Sequence, residues 1–418
     1  MTLLLQVAVI LAAAHAMRRV MVPLHQPAVI GEMFAGLLLG PSCFGWLAPR
    51  AFAALFAESS LAPLNAVSQI GLVLFMFVVG IRVGAQRHGT PRLIATVTSG
   101  VSIAVPFALG ALLALAVHAR LAPVGVAAGP FALFLGAAMS ITAFPVLARV
   151  LVEQGLLTTE LGLVAISCAA LDDVAGWLIL AGVMTLVDGG AGLGIAARIG
   201  LLALYLAVMT LAVRPALSWL ARRRAGNGSD IALPMLFLLL SAVATEWIGV
   251  HALFGAFFAG VLMPCDADVQ SALVRQIEPL AVTLFVPLFF AYTGLHTSVQ
   301  LINTPALWAD AAVVLTIAVA GKGGASTLAA RALGMSWRQA GALGALLNTR
   351  GLIELVILDI GLERGILSPT LFSMLVLMAI VTTCMTSPIV QALLVGGAVE
   401  QRERLEGATV GLAAGVDR

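Results

Sequence analysis

The chain has 418 residues, 61% of them hydrophobic and 10% charged, with a formal net charge of +2 and a mean hydropathy of +1.08. Soluble domains carry about 25% charged residues, so the composition excludes a soluble globular protein, and the near-neutral balance leaves no electrostatic footprint for nucleic acid. Apolar runs of about twenty residues without two-residue alternation select membrane-spanning helices over a β-barrel.

Thirteen spans are predicted in chain order, at roughly 3–17, 27–48, 63–81, 93–117, 130–151, 160–187, 196–220, 231–247, 249–264, 279–296, 306–330, 339–362 and 369–396. In the first, Arg18 and Arg19 follow the apolar run instead of preceding it, so the run reads as a span and not as a signal peptide. The eighth and ninth lie back to back, with Glu246 and His251 near their junction. Residues 1–398 are expected to form one transmembrane domain, and the polar 399–418 a loose cytoplasmic tail. Cys43, Cys168, Cys265 and Cys384 are scattered in or beside apolar runs and read as small apolar filler, with neither zinc spacing nor a disulfide framework.

Basic residues test the count. With the N-terminus outside, the outer loops hold only Arg50, Arg120, Arg198 and Arg364, and sixteen arginines fall in the cytoplasmic loops and tail. That is a strong positive-inside bias, predicting an outer N-terminus and a cytoplasmic C-terminus. Two cations belong to neither set: Arg350 and Lys322, the single lysine, which lies inside an apolar run from Ala311 to Ala330.

The sixth span carries Asp172 and Asp173 in an otherwise almost uncharged run. A carboxylate at the centre of a membrane helix costs about 2.5–3.5 kcal/mol to insert and marks an ion or proton path. Adjacent helix positions do not face each other, so one acid can meet Lys322 while the other faces a cavity. A carboxylate there can trade a proton for a hard monovalent cation. The bland alternatives are a buried salt bridge that fixes packing, and a lysine that is a permanent lock and not a switchable partner.

Spans five and twelve are interrupted. SITAFPVLAR at 140–149 carries a proline and polar groups, and NTRGLIEL at 348–355 carries Asn, Thr and Gly. Interrupted spans at matching positions of two halves point to a transporter site, and the spacing makes the halves inverted repeats. Ser140, Thr142, Asn348 and Thr349 offer neutral oxygens there, unless each bonds back to its own helix. Arg350 and Glu354 are spaced i,i+4, as are Arg149 and Glu153. Local ion pairing accounts for Arg149–Glu153, while Arg350 lies deeper, where it can balance the dipoles at the break. Glu32 reads as a first-turn acid at a helix start. Glu246 and Asp359 are also deep.

Five stretches in order carry a resemblance: GEMFAGLLLGPS at 31–42, SITAFPVLAR at 140–149, the Asp172-Asp173 helix, FGAFFAG at 254–260, and NTRGLIEL at 348–355. The chain resembles the monovalent cation:proton antiporter-2 family over nearly its whole length, most closely the branch of plant and fungal cation/proton exchangers. The resemblance implies an all-α sodium/proton antiporter fold, an inverted repeat with two crossed discontinuous helices. It implies a homodimer working by elevator-type alternating access, with a transport core mainly from 63–187 and 306–396 and a dimerisation part from the remaining spans. It implies Asp173 as the main carrier, Asp172 paired with Lys322, the breaks at Thr142 and Asn348 forming the crossing, and Ser140, Arg350, Glu354 and Glu32 in structural or gating positions.

The expected cargo is Na⁺ or K⁺, held by Asp173 and Asp172, against H⁺, with no cofactor, no nucleic-acid partner and membrane lipid around the chain. Two departures stand out. That branch usually has Asn where this chain has Asp172, and Arg82 stands where relatives often place an acid. The regulatory cytoplasmic domains of some relatives are not expected here. Composition suggests a bacterial inner membrane. Two rivals remain: a gated K⁺ or cation efflux pathway on the same fold, and an intramembrane hydrolase using both aspartates. The second has poor geometry, since adjacent positions point apart.

Overall fold

The computed structural model describes residues 2–24, 26–85, 92–157, 159–187, 195–223, 231–249, 251–264 and 267–416. Its described residues are helical throughout, apart from turns and connections. In order the helices are α1 (Thr2–Met21), α2 (Ala28–Leu39), α3 (Phe44–Leu47), α4 (Pro49–Leu55), α5 (Glu58–Ala85), α6 (Arg92–Leu121), α7 (Ala128–Ser140), α8 (Phe144–Glu153), α9 (Glu160–Val187) and α10 (Ile195–Val208). They continue with α11 (Arg214–Arg223), α12 (Ala232–Ile248), α13 (Ala252–Val261), α14 (Ala267–Leu280), α15 (Val286–Leu295), α16 (Pro305–Ala318), α17 (Ala325–Ala332), α18 (Trp337–Leu347), α19 (Leu352–Glu363) and α20 (Pro369–Val416).

Among the described residues, nine helical segments are long and apolar enough to cross a membrane. The chain is an integral membrane protein. Leu112, Leu211, Val243, Trp247 and Leu328 are exposed on its surface, as expected where the outer solvent is hydrocarbon and not water.

The packing falls into two sets. In one, α5 lies against α13 and α15, α2 against α1 and α15, and α12 against α13. These crossings need glycine. A Cβ on Gly36 would stand 2.1 Å from the Phe290 carbonyl oxygen, and one on Gly260 2.2 Å from that of Phe77, so small residues let the backbones touch. In the other set α9 packs on α6, α7, α8 and α18, and α20 on α16, α18 and α19.

Several segments depart from expectation. The tenth predicted span starts earlier, at Ala267, because Gln270, Leu273 and Ile277 recur at helical spacing and are buried. Three π-helical turns interrupt helices at Met209–Val213, Ala281–Phe285 and Val319–Gly324. The tail is helical: α20 continues through 399–416 to Val416, in keeping with its Glu, Arg, Leu and Ala content. Glu32 is not a first-turn acid. Helix α2 begins at Ala28, which puts Glu32 in the second turn, 1% exposed. There it lies 3.7 Å from Arg18 of α1, because Gly31 lets the two backbones meet. Arg82, unexplained by sequence, meets Glu278 of α14 through hydrogen bonds of 2.5 and 2.6 Å. The Arg149–Glu153 pair, Arg87, Arg224 and Cys265 lie outside the residues or side chains described.

Candidate functional site

The two interrupted spans cross. Helix α7 stops at Ser140 and α8 starts at Phe144, while α18 stops at Leu347 and α19 starts at Leu352. Pro145 is the second residue of α8, where its missing N–H costs nothing. The Ala143 N–H donates to the Thr349 carbonyl at 3.0 Å, joining the two breaks. A Cβ on Gly351 would sit 2.6 Å from Val146, so the second break needs glycine to pass the first.

A broken helix leaves carbonyls without partners, and in low dielectric they must be answered. Two cations do this for α7. Arg350 donates from Nη2 to the Met139 carbonyl at 2.7 Å and from Nη1 to that of Ala138 at 3.3 Å. Lys322 Nζ donates to the Ser140 carbonyl and to that of Ser102 on α6 at 3.0 Å. Positive charge at a helix C-terminus also opposes its dipole. Arg350 further pairs with Glu354 at 2.8 Å, and both side chains are fully buried.

The adjacent aspartates, both 0% exposed, stand in opposite situations. Asp172 is saturated. It accepts from Ser99 Oγ at 2.6 Å, Ser102 Oγ at 2.8 Å and Thr142 Oγ1 at 2.6 Å, and its Oδ2 lies 3.4 Å from Lys322 Nζ. Neither oxygen of Asp173 accepts a hydrogen bond. The Phe144 N–H, at the head of α8, faces it without reaching hydrogen-bond geometry, and its charged neighbours are Asp172 and Lys322. A fully buried acid without a donor must hold a proton or a cation, because the bare ion is too costly in an apolar interior. One turn along α9, Trp177 Nε1 is also buried without a partner, and its ring stacks on that of His251, the N-cap of α13, at 6.2 Å.

The structure thus brings Asp172, Asp173, Lys322, Thr142 and Ser140 together, with Arg350 and Glu354 behind the same crossing. Ser140 contributes its carbonyl, since its hydroxyl bonds back to Ala137 at 2.8 Å. Thr142 also donates to the Leu347 carbonyl at 3.1 Å. Asn348 lies in the second break, and no described hydrogen bond joins its side chain to the aspartates. It lines a cavity of about 160 Å³ with Thr327, Thr382 and Thr386, and its Oδ1 has no partner. Glu32 belongs to the α1–α2 contact and not to the crossing. Among the described residues no group of three or more His, Cys, Asp or Glu could hold a metal ion.

Sequence reasoning missed Ser99 and Ser102, spaced i,i+3 in an apolar helix, and Thr383, which receives the Arg350 N–H at 3.0 Å and donates to the Arg350 carbonyl at 2.6 Å. Their signal was a hydroxyl on an otherwise apolar face. It gains meaning only once the facing charge is known.

Comparison with known proteins agrees with this architecture. Residues 6–396 match the family model described as the transmembrane sodium/hydrogen exchanger. The chain is 39% identical to the Na⁺/H⁺ antiporter NhaS4 of Synechocystis sp., over 93% of this chain and 96% of that one. It is 36% identical to cation/H⁺ antiporter 17 of Arabidopsis thaliana, covering 93% of this chain and 48% of the plant protein. It is 32% identical to K⁺/H⁺ antiporter 1 of Saccharomyces cerevisiae, covering 88% and 43%. The chain therefore spans about half the length of these plant and yeast relatives. The solved structure of the sodium proton antiporter MjNhaP1 from Methanocaldococcus jannaschii superposes with a TM-score of 0.56 at 14% identity, over 94% of this chain and 97% of that one, which is a likeness of fold. The chain belongs to the sodium/hydrogen exchanger family. That is a family of transporters and not of enzymes, which removes the hydrolase reading.

Proposed function

We propose that this member of the sodium/hydrogen exchanger family exchanges a monovalent cation, Na⁺ or K⁺, for protons, with Asp173 as the group that carries one or the other. One observation carries the reading: of two adjacent, fully buried aspartates, Asp172 is saturated by three hydroxyls and Lys322, while Asp173 is left without a donor. The relatives named for Na⁺/H⁺, K⁺/H⁺ and cation/H⁺ exchange support it.

In this reading Asp172 and Lys322 stay paired and hold α6, α7 and α9 together. Asp173 takes a cation from one side, releases it on the other and returns protonated. Because an empty, charged Asp173 is costly, the core moves only when loaded, which couples the two fluxes. The transport set, α6–α9 and α16–α20, would slide as one body against the α2, α5, α13 and α15 scaffold in an elevator movement, within a homodimer; α5, which the resemblance put in the transport core, is placed with the scaffold because it packs on α13 and α15. The arginine distribution supports an outer N-terminus and a cytoplasmic C-terminus, in a bacterial inner membrane.

The test is flux in proteoliposomes. An imposed pH gradient should drive Na⁺ or Rb⁺ movement in the wild type, and Asp173→Asn should abolish it. Exchange that survives the substitution defeats the assignment. Cation movement without proton counter-flow would favour the gated efflux pathway instead.

A further inference from the structure

The cavity of about 160 Å³ beside the second break has no part in the exchange reading. Its walls are the π turn Val319–Gly324 with α17, the C-terminal part of α18, and α20. Asn348, which ends α18, lines it and is 5% exposed, and its Oδ1 has no hydrogen-bond partner. A buried polar atom left unanswered is rare in a folded protein. Three threonines complete the polar wall, and each has already spent its hydrogen. Thr327 Oγ1 donates to the Gly323 carbonyl at 2.8 Å and Thr382 Oγ1 to that of Met378 at 2.8 Å. Thr386 Oγ1 faces the carbonyls of Thr382 at 3.2 Å and Ala345 at 3.3 Å. A hydroxyl has one hydrogen and two lone pairs, so what these groups have left to offer is acceptors.

An occupant must therefore donate, and it must be uncharged. None of the described side chains lining the cavity is ionisable. The nearest charges along the chain are cations, Lys322 before Gly323 and Arg350 two residues past Asn348, and both are engaged at the end of α7. A cation in the cavity would lie uncompensated inside a membrane protein, which is expensive, and an anion would meet acceptor oxygens. The remaining wall includes Val319, Met385 and Ile389, which suit a compact apolar body. The volume is close to that of a cavity of about 150 Å³ known to take benzene. Ile389 is 36% exposed on a membrane-spanning part of α20, so a neutral amphipath can enter from the bilayer. At Gly324 a Cβ would meet no atom within 4 Å, although its φ of −64° and ψ of −49° are ordinary helical values.

We propose that this cavity binds a small neutral molecule, about the size of phenol, with a hydroxyl or N–H donor on a compact apolar body. The donor answers Asn348 Oδ1. The walls are the turn that carries Lys322 and the end of α18, so an occupant braces the second break without touching Asp173. The site does not depend on the carrier assignment, and its ligand does not compete with the transported cation.

The test is equilibrium dialysis of phenol, with benzene as the probe that lacks a donor, on full-length protein in detergent. The wild type should bind about one equivalent of phenol saturably. Gly324→Val fills the space, should weaken phenol binding at least tenfold, and also measures uptake by the detergent. Asn348→Ala keeps the space and removes the acceptor, so phenol should weaken about three- to tenfold and benzene should not. Saturating Na⁺ should leave phenol binding unchanged. Uptake that never saturates, or that is equal in Gly324→Val, overturns the proposal. So does Asn348→Ala weakening both probes alike, or displacement of phenol by Na⁺. If Asn348→Ala does not fold, Gly324→Val decides, and unchanged phenol affinity there overturns it.

Discussion

Arg350→Met offers the sharpest stability test, because its partners are all known. The guanidinium reaches the Ala138 and Met139 carbonyls and Glu354, all inside the protein. Removing one partner of a buried ion pair costs about 3–5 kcal/mol, since the other charge stays buried and alone. Unfolding entropy near 2.1 cal/mol/K per residue gives about 0.9 kcal/mol/K for 418 residues. The midpoint should therefore drop by about 3–6 °C. The pair is imperfect, however: Arg350 Nε and Glu354 Oε2 have no partner. Replacing both charges should thus recover the part of the loss that comes from leaving Glu354 buried and alone, with the two carbonyls left unanswered as the residual cost. The assay is a double-mutant cycle on melting midpoints in detergent, with Arg350→Met, Glu354→Gln and the combination. A coupling of about 0.5–3 kcal/mol is expected. The reasoning fails if Arg350→Met melts like the wild type, or if the double variant melts as low as the two single losses added.

Three more outcomes follow from the same geometry. Thr142→Val removes one of three hydroxyl donors to Asp172 and should cost about 1.5–3 kcal/mol, the worth of a hydrogen bond to a charged group, while Thr142→Ser should melt near the wild type. Gly36→Ala sets a methyl 2.1 Å from the Phe290 carbonyl and should lower stability by about 1–3 kcal/mol, without changing the cation affinity of the folded fraction. On the proposal that proton and cation compete for the Asp173 carboxylate, the apparent KM for the cation should rise as pH falls, by at most about tenfold per pH unit. A KM independent of pH over the whole active range would contradict a single shared carboxylate.

The sequence was most legible where chemistry and the bilayer conflict. Asp172, Asp173, Lys322 and Arg350 could be picked out because an ionised group in hydrocarbon needs a reason. The breaks at 141–143 and 348–351 were visible as polar and glycine interruptions of apolar runs. What could not be read was direction. Adjacent positions on α9 point apart, but only the packed structure shows that Asp172 turns to Ser99, Ser102 and Thr142. Glu32 was misplaced although its helix start was read to within one residue: as the fifth residue of α2 it already lies in the second turn, and one turn separates a dipole contact from an ion pair with Arg18. The π turn at Val319–Gly324 gave only its glycines as a sign, yet it carries Lys322.

The division of labour at the crossing also explains why two cations are needed. α7 ends on three carbonyls, at 138, 139 and 140, and a half-helix end attracts positive charge whether or not an ion is carried there. If a transported cation could satisfy these carbonyls, it would be held too well to leave. Arg350 takes Ala138 and Met139, and Lys322 takes Ser140. That leaves both oxygens of Asp173 open beside the crossing, along with Glu354 Oε2 and Asn348 Oδ1. Lys322, by also meeting Asp172, prevents the neighbouring acid from offering a second strong anchor. On the proposal that Asp173 is the carrier, the permanent charges would occupy the tight positions and the exchangeable ion would be left the weak one, from which it could depart on the other side.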